Sequence, residues 1–185
     1  MGNKGRLRKS LGDLRMVRIA FEPKRISPAD GYVVALGDDW GLLAATLDGG
    51  YFDGYRAFRL SDVRHVRWDT SFESRFAPTQ PEWPPVSPDV DLSSTSRVIE
   101  SLAASFPLVS VEHRDGHGMR WIGRALQLKR KRVVLHEVRP DGTWYDEPHR
   151  HSIRPIFSVE VGTHYLVALN EVCDPRPDMQ PDLVR

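Results

Sequence analysis

The densest group of residues with ligand-binding potential is a run of four cations, Lys129, Arg130, Lys131 and Arg132. Four consecutive charged side chains cannot all be buried, so the run is expected to form an exposed hairpin tip. Such a tip could bind the phosphates of RNA or single-stranded DNA with release of counterions, or it could bind an acidic protein partner. Alternatively, the cations only prevent the edge of a sheet from pairing with other chains.

A second cationic group lies at the N-terminus, in a basic arm predicted over residues 1–15. Its candidate binding residues are Lys4, Arg6, Arg8 and Lys9. The arm could contact nucleic acid or an acidic partner, or it could be a solvated terminus.

An acidic pair, Asp38 and Asp39, occupies the turn of the first half that corresponds to the cationic run. The opposite charges of the two turns predict a contact between them, either within one chain or head-to-tail between the chains of a homo-oligomer.

Residues with catalytic or metal-binding chemistry are sparse. His149 and His151 could present two imidazoles on one strand face near His136 or Glu137, but a metal site needs three or four ligands. The acidic neighbour of Cys173 disfavours a thiolate. The sequence contains no glycine-rich phosphate loop, nucleophile elbow or HExxH motif. We therefore predict a non-catalytic protein with no metal and no cofactor.

Length and charge bound the remaining possibilities. A chain of 185 residues forms one or two domains. Its 26 Lys and Arg residues against 25 Asp and Glu give a net charge of +1, with no overall bias toward polyanions. No apolar run approaches the roughly 18 residues that cross a bilayer, and the N-terminus lacks the apolar core of a signal peptide. The sequence thus predicts a cytoplasmic protein without a membrane partner.

Short strands separated by glycine and proline turn signals account for most of the chain. One helix is expected after an N-cap at Ser93 or Ser94 and before Pro107, and a shorter one over residues 165–172. The predicted strands of the first half are 16–21, 32–36, 40–47, 55–60 and 63–68. Those of the second half are 108–112, 120–128, 133–138, 149–153 and 156–161.

Five prolines between residues 78 and 88 divide the chain into two halves, 16–72 and 94–173, each expected to have its own hydrophobic core. The segment 73–93 is predicted as a stiff, extended linker whose Trp83 packs back onto a barrel, and residues 174–185 as a disordered tail. The halves are weakly alike, because superposing Tyr32 on Gly123 aligns the following strands.

The second half resembles the Sm-like barrel, a variant of the SH3-like barrel. A helix precedes five strands, and Trp121-Ile122-Gly123-Arg124 lies where the second strand of that fold curves sharply. The tandem arrangement is similar to a group of uncharacterised bacterial proteins that share this tetrapeptide and Asp53-Gly54-Tyr55. The resemblance implies a mainly β protein of two small Sm/SH3-like barrels, with one helix before the second barrel.

A weaker resemblance, to the WYL domain, lies in Arg56-Ala57-Phe58-Arg59-Leu60 and in the imperfect tripeptide Trp40-Gly41-Leu42. WYL domains sense nucleic acid or nucleotides.

The uridine pocket of Sm proteins is not carried over, because Lys129–Arg132 and Glu160-Val161-Gly162 stand at its two positions. The preferred function is therefore binding or scaffolding through protein–protein contacts. The alternative is RNA or single-stranded DNA binding through the arm and the cationic turn.

Overall fold

The computed structural model describes residues 1–22, 26–116 and 118–175. Its main element is one antiparallel sheet in the order β5-β1-β2-β3-β4-β10-β6-β7-β8-β9. The strands are β1 (Val17–Phe21), β2 (Ala29–Leu36), β3 (Trp40–Thr46), β4 (Phe52–Arg59), β5 (Val63–Trp68), β6 (Val109–His113), β7 (Arg120–Lys129), β8 (Arg132–Glu137), β9 (His149–Ser152) and β10 (Ile156–Val161). The mainly β prediction is confirmed, and every predicted strand is present.

The helices are α1 (Asn3–Asp13), α2 (Glu73–Phe76), α3 (Thr95–Ser105) and α4 (His164–Val172). The hydroxyl of Ser94 accepts a hydrogen bond from the amide of Arg97, as an N-cap does. The expected helix before the second half is thus confirmed as α3, and the shorter expected helix is α4. Residues 3–13, predicted as part of a basic arm, form α1. Among the described residues, no helix has both the length and the apolar character needed to cross a membrane.

The two halves repeat the same strand pairing at an offset of 92 residues. Gly31 of β2 pairs with Val17 and Ala45. Gly123 of β7, 92 residues later, pairs with Val109 and Glu137. The pairing register shifts between Val33 and Ala35 in β2 and, 92 residues later, between Ala125 and Gln127 in β7. The superposition of Tyr32 on Gly123 is therefore wrong by one residue, which matters because successive strand residues point to opposite faces.

Each half places its strands in the order fifth, first, second, third, fourth. The halves join where β4 pairs with β10, which sets Ala57 opposite Val159 and Arg56 opposite Glu160. The sheet does not close, because β5 and β9 are its two terminal strands and do not pair with each other.

The hydrophobic core extends across both halves. Its largest cluster combines Trp40 and Leu42 of the first half with Ile99 and Leu102 of α3 and with residues of β6, β8 and β10. Arg59 strengthens the junction, because its guanidinium donates to the carbonyl of Ile156 at 2.7 Å and to the hydroxyl of Thr95 at 2.7 Å. The expectation of two separate cores is therefore wrong.

The proline-rich segment 73–93 packs on the first half. It begins with α2 and a short 3-10 turn, and Ala77 is fully buried. The ring of Trp83 meets that of Tyr32 edge-on, with 5.1 Å between the ring centroids. This confirms the packing predicted for Trp83. The predicted tail lies outside the described residues from position 176 onward, whereas Asp174 is held by a hydrogen bond from the indole of Trp144 to its carbonyl.

We expect Gly123→Ala to destabilise the protein strongly. A Cβ atom at this position would lie 2.2 Å from the carbonyl oxygen of His136, so β7 and β8 would have to separate. The expected loss in the free energy of unfolding is about 3 kcal/mol. Urea denaturation measures it, with Gly12→Ala as the control, because no atom lies within 4 Å of a Cβ there. The control should gain about 0.5–1 kcal/mol in the free energy of unfolding, because alanine favours the helix α1 more than glycine does. Equal stability of the two variants would contradict the close approach of Gly123 to the carbonyl of His136.

Candidate binding surfaces

The basic tip, Lys129–Arg132, is the turn between β7 and β8. Strand β7 ends at Lys129 and β8 begins at Arg132. All four side chains are exposed, as predicted. The acidic tip, Asp38 and Asp39, is also exposed and stands 92 residues before Arg130 and Lys131. The two tips therefore occupy the same place in the repeat, but no ion pair joins them within the part of the chain that the structure describes.

The N-terminal cations have divided roles on α1. Lys4, Arg8 and Lys9 are exposed, and the ammonium of Lys9 lies 3.9 Å from the carboxylate of Asp13. Arg6 is half-buried and donates to the carbonyl of Val66 at 2.9 Å. Helix α1 packs against β2 and β5, whereas the basic tip borders β9 at the other end of the strand order. The two predicted cationic groups are thus associated with strands at opposite ends of the sheet order.

Helix α1 covers the outer edge of terminal strand β5. The side chain of Asn3 accepts from the amide of Val66 at 3.2 Å and donates to the carbonyl of Arg64 at 3.0 Å. Arg6 satisfies the carbonyl of Val66. Both outward groups of Val66 and the carbonyl of Arg64 are therefore already bonded, and covering an edge in this way protects it from pairing with another strand.

The outer edge of β9 is open among the described residues, since only β8 pairs with this strand. The amide of Ile153 donates to the carbonyl of Lys131, on the β8 side. Because the backbone groups of an antiparallel strand alternate between its two edges, Arg150 and Ser152 direct theirs to the open edge. Pro148, at the preceding outward position, has no amide hydrogen and limits the pairing.

Two histidines fix the inner face of β9. The Nε2 atom of His151 lies 2.7 Å and the Nδ1 atom of His149 3.1 Å from the same Oε1 atom of Glu137, a buried side chain of β8. The ring of His151 also packs against that of Trp121, at 5.2 Å between centroids. Across the described ranges, no group of three or more His, Cys, Asp or Glu side chains has an arrangement that could hold a metal ion.

A buried charge cluster lies at the β4–β10 junction. The guanidinium of Arg56 lies 3.5 Å from the carboxylate of Glu160 and 3.7 Å from that of Glu112, and it donates to the hydroxyl of Ser158 at 2.9 Å. Arg120 completes the cluster from the rim, at 2.7 Å from Glu160. The pKa of Glu112 is raised above its ordinary value, because the effect of burial outweighs that of the Arg56 and Arg120 guanidinium groups, which lower this pKa.

This cluster forms part of the wall of a cleft of about 670 Å³. None of these residues was among the candidate site residues predicted from the sequence. The one available signal was a single carboxylate in each of two strands, Glu112 in β6 and Glu160 in β10, whereas β4 carries Asp53 and Arg59 besides Arg56. The two guanidinium groups and the two carboxylates balance, so the cluster carries no net charge, and it spans the β4–β10 junction between the two halves.

The chain matches no protein-family model, no curated protein and no solved structure.

Proposed function

We propose that the protein is a non-catalytic binding or scaffold protein composed of two Sm-like repeats, which acts through protein–protein contacts. The proposal is carried by the β4–β10 junction, where two units of the same strand order join edge to edge. The junction shows that a strand of one unit can extend the sheet of the next. The same type of contact, made by a terminal strand of the sheet, is the interaction proposed for a partner protein.

The exposed tips supply the charge for such contacts. The basic tip lies beside β9, because Arg132 pairs with Ser152. Among the described residues, the outer edge of β9 is open. Charged groups around an interface increase the rate of association and select among partners. An acidic surface on the partner is therefore the expected complement.

Recovery of the tagged protein from its native cells tests this proposal. After treatment with RNase and DNase, protein partners should remain bound in a fixed ratio. Lys131→Glu should reduce their recovery, whereas Arg75→Glu, which reverses an exposed cation of α2, should not. Recovery of the protein alone from every preparation would contradict the proposal.

Nucleic-acid binding is the second candidate, supported by the four exposed cations of the basic tip. If all four contact the phosphates of a single strand, log affinity should fall against log salt with a slope of about −3. Fluorescence anisotropy with labelled oligothymidine measures this slope. Such a slope, together with partners that are lost on nuclease treatment, would favour this function over protein binding.

A further inference from the structure

We infer that the open edge of β9 and the basic tip together form a docking site for a short, acidic, extended segment of a partner protein, which adds to the sheet as one more strand. The inference rests on the proposed function and specifies the chemistry of the partner.

The backbone of β9 provides the hydrogen-bonding groups. Arg150 and Ser152 each offer one amide and one carbonyl to the open edge. Their side chains are exposed, and Glu137 and Trp121 hold the opposite face of the strand in place. Since Pro148 cannot donate, the pairing extends over only a few residues. A short added strand therefore needs a second source of affinity.

Positive charge supplies that second source. Exposed cations surround the Ser152 end of β9: Lys129, Arg130, Lys131, Arg132, Arg150 and Arg154. The exposed acids Asp146 and Glu147 precede Pro148, at the opposite end of the strand. A partner segment with its acidic residues near Ser152 would match both ends of this edge.

A second copy of the chain fits the edge less well than an acidic partner. In a head-to-tail arrangement equivalent to the β4–β10 junction, Val66 of one copy would lie opposite Arg150 of the other. The outward groups of Val66 are already bonded to Asn3 and Arg6. In a two-fold arrangement of β9 against β9, the basic tips and both Arg150 side chains would approach one another, and like charges across a strand pair are destabilising.

Binding of a fluorescein-labelled peptide of four Glu-Val repeats to the full chain tests the inference. The matched probe is the same peptide with every backbone nitrogen methylated, which keeps the charge and removes the amide donors. We expect saturable binding by fluorescence anisotropy and about tenfold or greater weakening on methylation. In amide NMR spectra, the signals of Arg150 and Ser152 should shift on titration with the unmodified peptide.

Variants locate the site. Lys131→Glu should weaken binding of the unmodified peptide, whereas Arg75→Glu should leave it unchanged. Ser152→Pro, which removes one outward amide that would donate to a carbonyl of the peptide, should weaken binding of the unmodified peptide, provided that its circular dichroism spectrum matches that of the wild type. If this variant does not fold, comparison of the unmodified and methylated peptides on the wild-type protein still tests the inference.

Several outcomes would overturn the inference: equal affinity for both peptides, no binding of either, or amide shifts confined to other strands. Dimerisation through β9 in the absence of peptide would assign the edge to a second copy. Preferential binding of octathymidine would assign the basic tip to nucleic acid. If the peptide does not bind but protein partners survive nuclease treatment, the edge site is wrong and the proposed function stands.

Discussion

Replacing both Asn3 and Arg6 with alanine is expected to expose the outer edge of β5 and to make the protein self-associate. The two side chains satisfy the outward amide and carbonyl of Val66 and the carbonyl of Arg64. Their loss should lower the free energy of unfolding by about 2 kcal/mol, because each hydrogen bond contributes about 0.5–1.5 kcal/mol. The freed edge of one copy can then pair with β9 of another. Sedimentation velocity should show species whose size grows with protein concentration.

The control for this prediction lies on the same helix. Arg8→Ala removes an exposed cation of α1 that makes no hydrogen bond to the β5 backbone among the described residues. It should sediment like the wild type and be equally stable. Adding Ser152→Pro to the double variant should reverse the association. A double variant that sediments like the wild type at every concentration would show that α1 does not protect this edge.

Replacing Arg56 with methionine is expected to cause the largest loss of stability. The substitution leaves Glu112 and Glu160 close together at the buried junction without the central guanidinium. Removing one partner from a buried ion pair costs about 3–5 kcal/mol. Urea unfolding at pH 7 measures the loss. A triple variant that also carries Glu112→Gln and Glu160→Gln is the control, and it should recover much of the stability because no buried charge is left unpaired.

The loss should also depend on pH. Burial raises the pKa of Glu112 and Arg56 lowers it, so removing Arg56 raises this pKa further. A carboxyl group whose pKa is higher in the folded state than in the unfolded state stabilises the fold as pH falls, because the folded state takes up the proton first. The stability difference between the wild type and Arg56→Met should therefore narrow from pH 7 to pH 5. A stability difference that widens from pH 7 to pH 5 would contradict the attribution of this pH dependence to Glu112.

The sequence contained enough information for most of the secondary structure. Short strand-type runs between glycine and proline turn signals located all ten strands, and an N-cap at Ser93 or Ser94 with Pro107 located α3. The equivalence of the acidic and basic tips was also correct. Helix α1 was not predicted, because its few apolar positions, such as Leu7, give no clear stripe. It is stabilised by packing of Leu7 into the core of the first half and by hydrogen bonds to β5.

The relation between the halves was much harder to predict. The repeat was misaligned by one residue because few identities support it, and only strand pairing distinguishes Gly31 from Tyr32 as the counterpart of Gly123. The junction cluster brings together Arg56, Glu112 and Glu160, which are distant in sequence. Pairing of β4 with β10 depends on tertiary structure, which local patterns do not report.

The shared core has a consequence for how this molecule can be dissected. Ile99 and Leu102 of α3 contribute to the same buried cluster as Trp40 and Leu42, so cutting the chain between residues 72 and 94 would expose apolar surface on both fragments. Neither repeat is then a portable module that can be expressed, swapped or fused by itself. We therefore expect the two halves to unfold together, and studies of the partners should use the intact chain.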